Sequence, residues 1–400
     1  MSHLITGIGE LVTQDDDDRV LPDAALVLDG PTIAWIGPAS SAPACDSATD
    51  VGGRAVLPGW VDSHSHLVFD GDRSAEFAAR MAGQAYAAGG IAVTVGATRT
   101  ADDERLRQLV RQRVAVAMSQ GTTTLETKTG YGLDVEHELR SARIAAGEVD
   151  EVTFLGAHLV PSAVDGITAD DYVRLVCGPM LEAVRPHVQW ADVFCERGAF
   201  TEEQSREVLL AARRAGLGLR VHGNQLGPGP GVRLAVELGA ASVDHVNFLD
   251  DDDVDVLAAS WSDPSRDGTV ATVLPACDLS TRAPLAPARR LLDAGVPVAL
   301  ASNCNPGTSY TSSMAFCVAT AVLQMHLTVA EAVRAATWGG ALALGRHTGP
   351  GAVGSLTVGH RADLHVLEAP SMTHLAYRPG MPLTHSVWRA GQPVPSPIRG

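Results

Sequence analysis

The chain has 400 residues, of which 46% are hydrophobic and 19% are charged. This composition is typical of a globular protein with a large buried core. Its 46 acidic residues against 30 basic ones give a net charge of -16, which argues against nucleic acid or an anionic membrane as the main partner. An anionic small molecule is not excluded, because one local arginine can override the overall charge.

Six cysteines are spread through the chain at irregular spacing and form no CxxC pair. In a chain of this length such cysteines predict free thiols in a reducing compartment. The N-terminus has no basic segment followed by a long apolar run, and no apolar run is long enough to span a bilayer. We therefore expect a soluble, cytoplasmic protein.

The first 55 residues contain short apolar or alternating runs broken by glycine and proline, which predict short strands and turns. The acidic run at 15–18 is expected to be a solvated turn. From residue 56 the pattern changes, and short apolar runs alternate with longer segments rich in Ala, Arg and Glu. The apolar runs are 56–67, 122–128, 152–158, 191–196, 217–222, 242–248, 270–275 and 296–302.

The segments between these runs are predicted helices, among them 103–118, 136–146, 202–214, 231–238 and 287–293, with a final helix at 329–344. Strands that alternate with helices in this way predict a parallel sheet with crossover helices. Eight such units predict a (β/α)8 barrel over 56–347. A doubly wound open sheet is the alternative, but it usually needs fewer strands and a glycine-rich first turn.

The last part of the chain, 348–400, returns to short strands punctuated by glycine. We expect it to pair with residues 1–55 in one small β domain beside the barrel. The GPGPG segment at 227–231 lacks the spacing and the Lys-Ser/Thr of a phosphate loop. It is interpreted as a rigid surface or active-site loop.

Histidines are concentrated where the predicted strands end. His64 and His66 follow the first apolar run, and residues two apart in a strand point to the same side. His158, His222 and His245 close later runs. One histidine in such a position is more often a satisfied core residue, but five at the same end of barrel strands share one mouth.

Neutral imidazole is a preferred ligand of zinc and ferrous iron. A catalytic site of this kind keeps one position open for water. The metal lowers the pKa of that water from 15.7 to about 7, which provides hydroxide at neutral pH. Hydrolysis of an amide-like C–N bond is the natural use of such a site.

Several longer motifs carry a resemblance to a known family. They are LPGWVDSHSHLVFDGDRSAEFAARMAG, TKTGYGL, VTFLGAHLVP, DVFCERGAF, VHGNQLGPG, SVDH and NCNPGTS. In these segments, which run over nearly the whole chain, the sequence resembles the imidazolonepropionases, amidohydrolases of histidine degradation. The resemblance implies a (β/α)8 barrel with a composite β-sandwich from both chain ends. It also implies hydrolysis of 4-imidazolone-5-propanoate to N-formimidoyl-L-glutamate, and a homodimer.

The resemblance also implies roles for individual residues. One divalent metal, zinc or iron, would be held by His64, His66 and His222, with Asn303 at the fourth metal position. His158 and His245 would contact the substrate ring and assist proton transfer, and Gln225 and Asn303 also occupy catalytic positions. The remaining substrate-binding positions are Arg73, which would hold the propionate, Tyr86, Tyr131, Gln225, Asn305, Gly307 and Thr308.

Two positions depart from the family pattern. Asn303 stands where the last barrel strand usually ends in an aspartate that ligates the metal and shuttles a proton. Gln225 stands where a glutamate usually contacts the substrate and water. An amide can donate and accept hydrogen bonds but cannot take up a proton near neutral pH. Proton transfer would then move to His245 or His158.

These departures leave three interpretations open. The chain is a working subfamily with a shifted base, a disabled variant, or a paralogue that binds ligand without turnover. A further alternative is an amidohydrolase or aminohydrolase that acts on another small heterocycle. Arg73 and Tyr131 speak against this last alternative, because they imply a substrate with a carboxylate tail.

Overall fold

The computed structural model describes residues 1–83, 90–161 and 167–395. These residues form an eight-stranded parallel sheet and a separate seven-stranded sheet, and we number the strands β1 to β15 in chain order. The parallel sheet has the order β5 to β12 without interruption, so each strand pairs with the next one along the chain. Its strands are β5 (Trp60–Asp62), β6 (Thr122–Lys128), β7 (Glu151–Ala157), β8 (Trp190–Cys195), β9 (Gly218–Gly223), β10 (Ser242–His245), β11 (Val270–Val273) and β12 (Val298–Leu300).

The predicted barrel is confirmed, and each of the eight apolar runs contains one of its strands or overlaps it with a shift of one residue. The first run differs from the prediction in detail. Its beginning belongs to β4 (Ser47–Pro58), a strand of the other sheet, and the chain enters the barrel only at Trp60. The expected domain boundary at 55/56 therefore falls inside β4.

The barrel closes between its first and last strands just beyond their carboxyl ends. The backbone N–H of Asn303 donates to the carbonyl of His64 at 2.9 Å, and that of His66 donates to the carbonyl of Cys304 at 2.9 Å. The carboxylate of Asp62 accepts from the backbone of Ser302 at 2.9 Å. These bonds hold the first two histidines and Asn303 at fixed positions on the barrel mouth.

Helices cover the outside of the barrel. The helix Glu202–Arg214 is one example: its N-cap Thr201 forms a capping box with Gln204, and its apolar face buries Val208 and Leu209 against the strands. The described helices are Ser74–Met81, Ile91–Thr100, Asp103–Ser119, Val135–Ala146, Ala169–Leu175, Leu181–Val184, Glu202–Arg214, Gly231–Glu237, Asp251–Ser260, Pro275–Thr281, Ala288–Asp293, Met314–Gln324, Val329–Arg334, Gly340–Ala343 and His374–Tyr377. In the described part of the chain, no helix is both long enough and apolar enough to span a bilayer.

The second sheet is built from both ends of the chain, as predicted. Its strands are β1 (Ser2–Val12), β2 (Val20–Asp29), β3 (Thr32–Pro38), β4, β13 (Leu364–Leu367), β14 (Thr384–Arg389) and β15 (Gln392–Pro393). Antiparallel pairing of β13 with β4 joins the C-terminal strands to the N-terminal ones. Ile5, Leu26 and Leu364 are among the side chains of its separate core. The five strand-end histidines lie on barrel strands or directly after them, and none belongs to this sheet.

Candidate active site

Four histidines converge at the barrel mouth. The ring centroid of His222 lies 4.6 Å from that of His64 and 5.6 Å from that of His66. His245 lies 5.3 Å from His222 and 5.7 Å from His64 by the same measure. Among the described residues, nitrogens of His64, His222 and His245 lie within 4.8 Å of one another. The three histidines predicted as metal ligands are thus neighbours. His245, which was predicted to assist proton transfer, lies in the same group as two of them.

Two buried aspartates orient these imidazoles. The carboxylate of Asp244, on β10, lies 2.6 Å from His64 Nδ1, and that of Asp192, on β8, lies 2.9 Å from His222 Nδ1. The carboxylate of Asp244 accepts the Nδ1 proton of His64 and so leaves Nε2 of that ring as the lone-pair nitrogen. The Nε2 lone pair of His64 is thus available to a ligand in the space between the rings.

A buried cation connects the two aspartates. Lys128 Nζ lies 3.0 Å from Asp192, 3.0 Å from Glu126 and 3.9 Å from Asp244. Arg220, also fully buried, lies 3.4 Å from Asp244. Burial opposes ionisation, but the charge of Arg220 and the hydrogen bond of His64 hold the pKa of Asp244 well below its usual range. The carboxylates under the histidines are therefore ionised at neutral pH.

His64, His66 and His245 are neutral imidazoles. Burial lowers the pKa of His64, His66 and His245 well below the usual value, and neighbouring positive groups lower it further. Neutral imidazole is the form that ligates metals. His245 also has a backbone φ of 84°, a conformation that is strained for a residue with a side chain and is found mainly at functional sites.

The residues present fit a divalent metal. His64 Nε2 is buried and has no hydrogen-bond partner among the described residues, and the same holds for Asn303 Oδ1. A buried polar atom without a partner is costly unless something outside the chain satisfies it. Imidazole nitrogens with one amide oxygen form a donor set that zinc and ferrous iron both accept.

A cavity opens beside the histidines, with an empty volume of about 540 Å³ including its mouth. Most of the predicted site residues line it together with three apolar side chains that were not predicted. The lining residues are His66, Arg73, Ile91, Tyr131, His158, Leu159, Phe194, His222, Gln225, His245, Asn303, Asn305 and Thr308. Tyr86 lies outside the described residues.

Arg73 is a nearly buried cation in the wall of this cavity. Its Nε and one terminal nitrogen donate to the carboxylate of Glu76 at 2.8 Å each. Gly307 does not line the cavity, but a Cβ at this position would lie 2.3 Å from Arg73 Nη1. Glu76 and Gly307 therefore fix the guanidinium from two sides.

The loop after β12 is held by Asn305. Its Oδ1 accepts from the backbone N–H groups of Gly307 and Thr308 at 2.8 Å each. Its Nδ2 donates to the carbonyl of Asn303 at 2.7 Å and to the hydroxyl of Thr308 at 2.8 Å. The Asn305 amide is thus engaged within the loop and shapes it, and a contact between this loop and the substrate stays a prediction.

Tyr131 lies on a tight loop whose shape depends on Glu138. The carboxylate of Glu138, fully buried, accepts from the backbone N–H groups of Gly130, Gly132 and Leu133 at 2.7 to 3.2 Å. The ring of Tyr131 lies 5.5 Å from that of His158. His158 Nδ1 is 2.9 Å from the carbonyl of Gly130. A carbonyl only accepts, so Nδ1 carries the proton and Nε2 is the lone-pair nitrogen.

Gln225 is positioned by Glu196. The carboxylate of Glu196 accepts from the backbone N–H of Gln225 and, at 3.3 Å, from that of Leu226. Burial raises the pKa of Glu196 above its usual value. The loop that carries Gln225 is therefore tied to the end of β8.

Sequence reasoning missed the residues that support the site. They are Glu76, Glu126, Lys128, Glu138, Asp192, Glu196, Arg220 and Asp244. A usable signal was present for some of them, because an ionisable residue inside an apolar barrel strand needs a buried partner. Which residue supplies that partner depends on neighbouring strands and could not be read from one strand.

A parallel barrel with an imidazole group and ionised carboxylates at its mouth defines a metal-dependent hydrolase of the amidohydrolase class. The model of the amidohydrolase family matches residues 55–394. An imidazolonepropionase of Paenarthrobacter aurescens is 72% identical over 98% of this chain and 97% of its own length. An imidazolonepropionase of Arthrobacter sp. (strain FB24) is 71% identical over 98% of this chain and 99% of its own length. The chain belongs to the imidazolonepropionase family of amidohydrolases.

A solved structure supports the fold. The atrazine chlorohydrolase TrzN of Arthrobacter aurescens, complexed with zinc, superposes with a TM-score of 0.73, covering 98% of this chain and 94% of that one. Its sequence identity to this chain is 20%, so the likeness concerns the fold alone. The family and the buried imidazole group together support a divalent metal at this site.

Proposed function

We propose that this chain hydrolyses 4-imidazolone-5-propanoate to N-formimidoyl-L-glutamate. The observation that carries this proposal is a nearly buried arginine in the wall of a cavity that also contains the histidine group. A guanidinium in this position suits a carboxylate tail. Purine and pyrimidine bases have no such tail, so Arg73 disfavours an aminohydrolase that acts on them.

The chemistry requires that water adds to the ring carbonyl, that the adjacent C–N bond breaks, and that the departing nitrogen gains a proton. His64, His66 and His222 would hold a divalent metal, zinc or iron, with Asn303 as a neutral fourth group. The metal would supply Lewis acidity that acidifies water and polarises a carbonyl, and an amide in place of an acid would leave more of its positive charge unneutralised.

Arg73 and Tyr131 orient the substrate. Glu76 engages two donors of the guanidinium, and Arg73 Nη1 lies on the side of Gly307. We assign the Nη1 edge of the guanidinium to the propionate carboxylate of the substrate. Holding the tail fixes the ring against the histidines and lowers the entropic part of the barrier.

His158 and His245 have separate roles in the proposed reaction, one in substrate binding and the other in proton transfer. Because His158 Nδ1 donates to Gly130, its Nε2 accepts a hydrogen bond from a ring N–H of the substrate. His245 lines the cavity, and its Nδ1 has no partner among the described residues. We assign to His245 the proton that water loses and that the departing nitrogen gains. Asn303 and Gln225 then bind without exchanging protons.

We further propose that the chain acts in the cytoplasm as a homodimer. All six cysteines are unpaired, which supports a reducing compartment.

The proposal is tested with purified protein loaded with zinc or iron. We expect consumption of the imidazolone propionate and equal release of formiminoglutamate. The Asn303→Asp and Gln225→Glu variants restore the family acids and show whether the amides are part of a working site. Gln14→Glu, which also changes a buried amide to an acid but lies just after β1 and does not line the cavity, is the matched control.

A working subfamily predicts an active wild type whose turnover falls or changes its pH profile when Asn303 becomes an acid. Turnover that appears only in the Asn303→Asp protein would identify a disabled variant. Micromolar binding of substrate without any product, in every metal form, would identify a ligand-binding paralogue and refute the proposal.

A further inference from the structure

A second group of potential metal ligands lies beside the first. Within the described residues, ligand atoms of His245, Cys277 and Asp278 all lie within 4.8 Å of one another, and all three side chains are buried. Cys277 and Asp278 belong to the helix Pro275–Thr281 that follows β11. The proposed reaction uses neither of them.

The surroundings of this group resemble those of an unfilled site. His245 is 2% exposed, and its Nδ1 has no hydrogen-bond partner in the described part of the chain. The Cys277 thiol lies next to the side chains of Thr308 and Asn303, which connects it to the cavity wall. Asp278 accepts from the backbone N–H of Ala286 at 3.3 Å and from the side chain of Asn247, and a carboxylate has about four acceptor positions, so further capacity remains.

We propose that His245, Cys277 and Asp278 form a second metal site, which takes a borderline divalent cation such as Zn²⁺. One imidazole, one thiolate and one carboxylate form a donor set that zinc binds readily. Hard cations such as Mg²⁺ and Ca²⁺ prefer oxygen ligands and are disfavoured by the thiolate.

A thiol loses its proton when it ligates a metal, so binding at this site must release a proton to solvent. An imidazole nitrogen that carries a lone pair needs no such release. The second site is therefore expected to bind zinc more weakly than the histidine group.

Occupation of the second site has a consequence for turnover, which rests on the proposed function. His245 belongs to both groups of ligands. A cation that takes a nitrogen of His245 removes this imidazole from proton transfer. Zinc beyond the first equivalent is therefore inhibitory.

Cobalt substitution of the metal-free full-length protein tests the site directly, because a thiolate ligand gives Co²⁺ an intense near-ultraviolet charge-transfer band that imidazole ligands do not give. Zinc content per chain and inhibition by added zinc are measured in parallel. The test variant is Cys277→Ser. The control is Cys317→Ser, which changes another buried thiol whose contact is the carbonyl of Ala301 at 3.7 Å.

In the wild type and in Cys317→Ser we expect the charge-transfer band, a second equivalent of zinc and inhibition by excess zinc. In Cys277→Ser we expect loss of the band, of the second equivalent and of the inhibition. No thiolate band at saturating cobalt in the wild type, or a band that persists in Cys277→Ser, would overturn the site. A filled second site without inhibition would refute the role of His245. A band in a protein without imidazolone hydrolysis would refute the proposed function and leave the site standing.

Discussion

Replacing Asp244 by asparagine tests whether the carboxylates beneath the histidines set the affinity for metal. The carboxylate lies 2.6 Å from His64 Nδ1, 3.4 Å from Arg220 and 3.9 Å from Lys128. Asparagine keeps the shape of the side chain but removes the charge that raises the basicity of His64. Loss of such a supporting group typically costs about 10- to 100-fold in metal affinity, or about 1.4 to 2.7 kcal/mol.

The same change destabilises the fold. Lys128 retains Glu126 and Asp192, but Arg220 retains only the backbone carbonyls of Ser63 and Ala343 among its described hydrogen bonds. Breaking a buried ion pair costs about 3 to 5 kcal/mol. We expect the lower end, about 3 kcal/mol, because these carbonyls still satisfy part of the guanidinium.

Competition with a zinc chelator gives the metal affinity, and urea unfolding of the metal-free protein gives the stability. Asp363→Asn is the matched control, because Asp363 is buried and pairs with Arg361 but belongs to the other sheet. It should lose stability without losing zinc affinity. If Asp244→Asn binds zinc as tightly as the wild type, or if both variants lose affinity equally, the carboxylate does not act through His64.

Three further changes probe the substrate wall and the second sheet. Gly307→Ala places a Cβ 2.3 Å from Arg73 Nη1 and should displace the guanidinium from the substrate carboxylate. Losing that charge-assisted hydrogen bond, worth about 1.5 to 3 kcal/mol, should raise KM about 10- to 100-fold with a smaller effect on kcat. Arg73→Lys should also raise KM, because an ammonium cannot bind a carboxylate through a planar fork. Replacing His365 by asparagine should make the stability of the fold less sensitive to acid. Burial lowers the pKa of His365 to about 3 in the folded protein, so as the pH falls below 6.5 the unfolded chain takes up this proton first. The wild type therefore loses about 2 kcal/mol of stability at pH 5 through this residue, and the variant should not.

The predictions for Gly307 and His365 each have a result that would contradict them. Gly227→Ala, at a position where a Cβ meets nothing within 4 Å, should leave KM unchanged. A similar rise in KM in Gly227→Ala and Gly307→Ala would contradict the argument from close approach. For His365, unfolding free energies at pH 7 and pH 5 decide the matter. Equal losses in wild type and variant would mean that His365 does not contribute to the acid sensitivity.

The positions of the barrel strands could be predicted because their signal is local. An apolar run such as 122–128 is bounded by helix and turn signals, and β6 (Thr122–Lys128) has the same limits. The first run was assigned less well, because the run from 56 is apolar on both sides of Gly59. Periodicity does not mark the point where Pro58 ends one sheet and Trp60 begins another. Hydrogen bonding to two different neighbours makes that division.

The sequence by itself determined which residues end the strands, and therefore that imidazoles from distant segments share one mouth. The tertiary structure alone decided how they are arranged there. His245 joins His64 and His222 in the tightest group, and Lys128 connects Asp192 with Asp244 from beneath. The physical reason is that face alternation within a strand is a local property. The separation of side chains from different strands is set by the register and closure of the whole barrel.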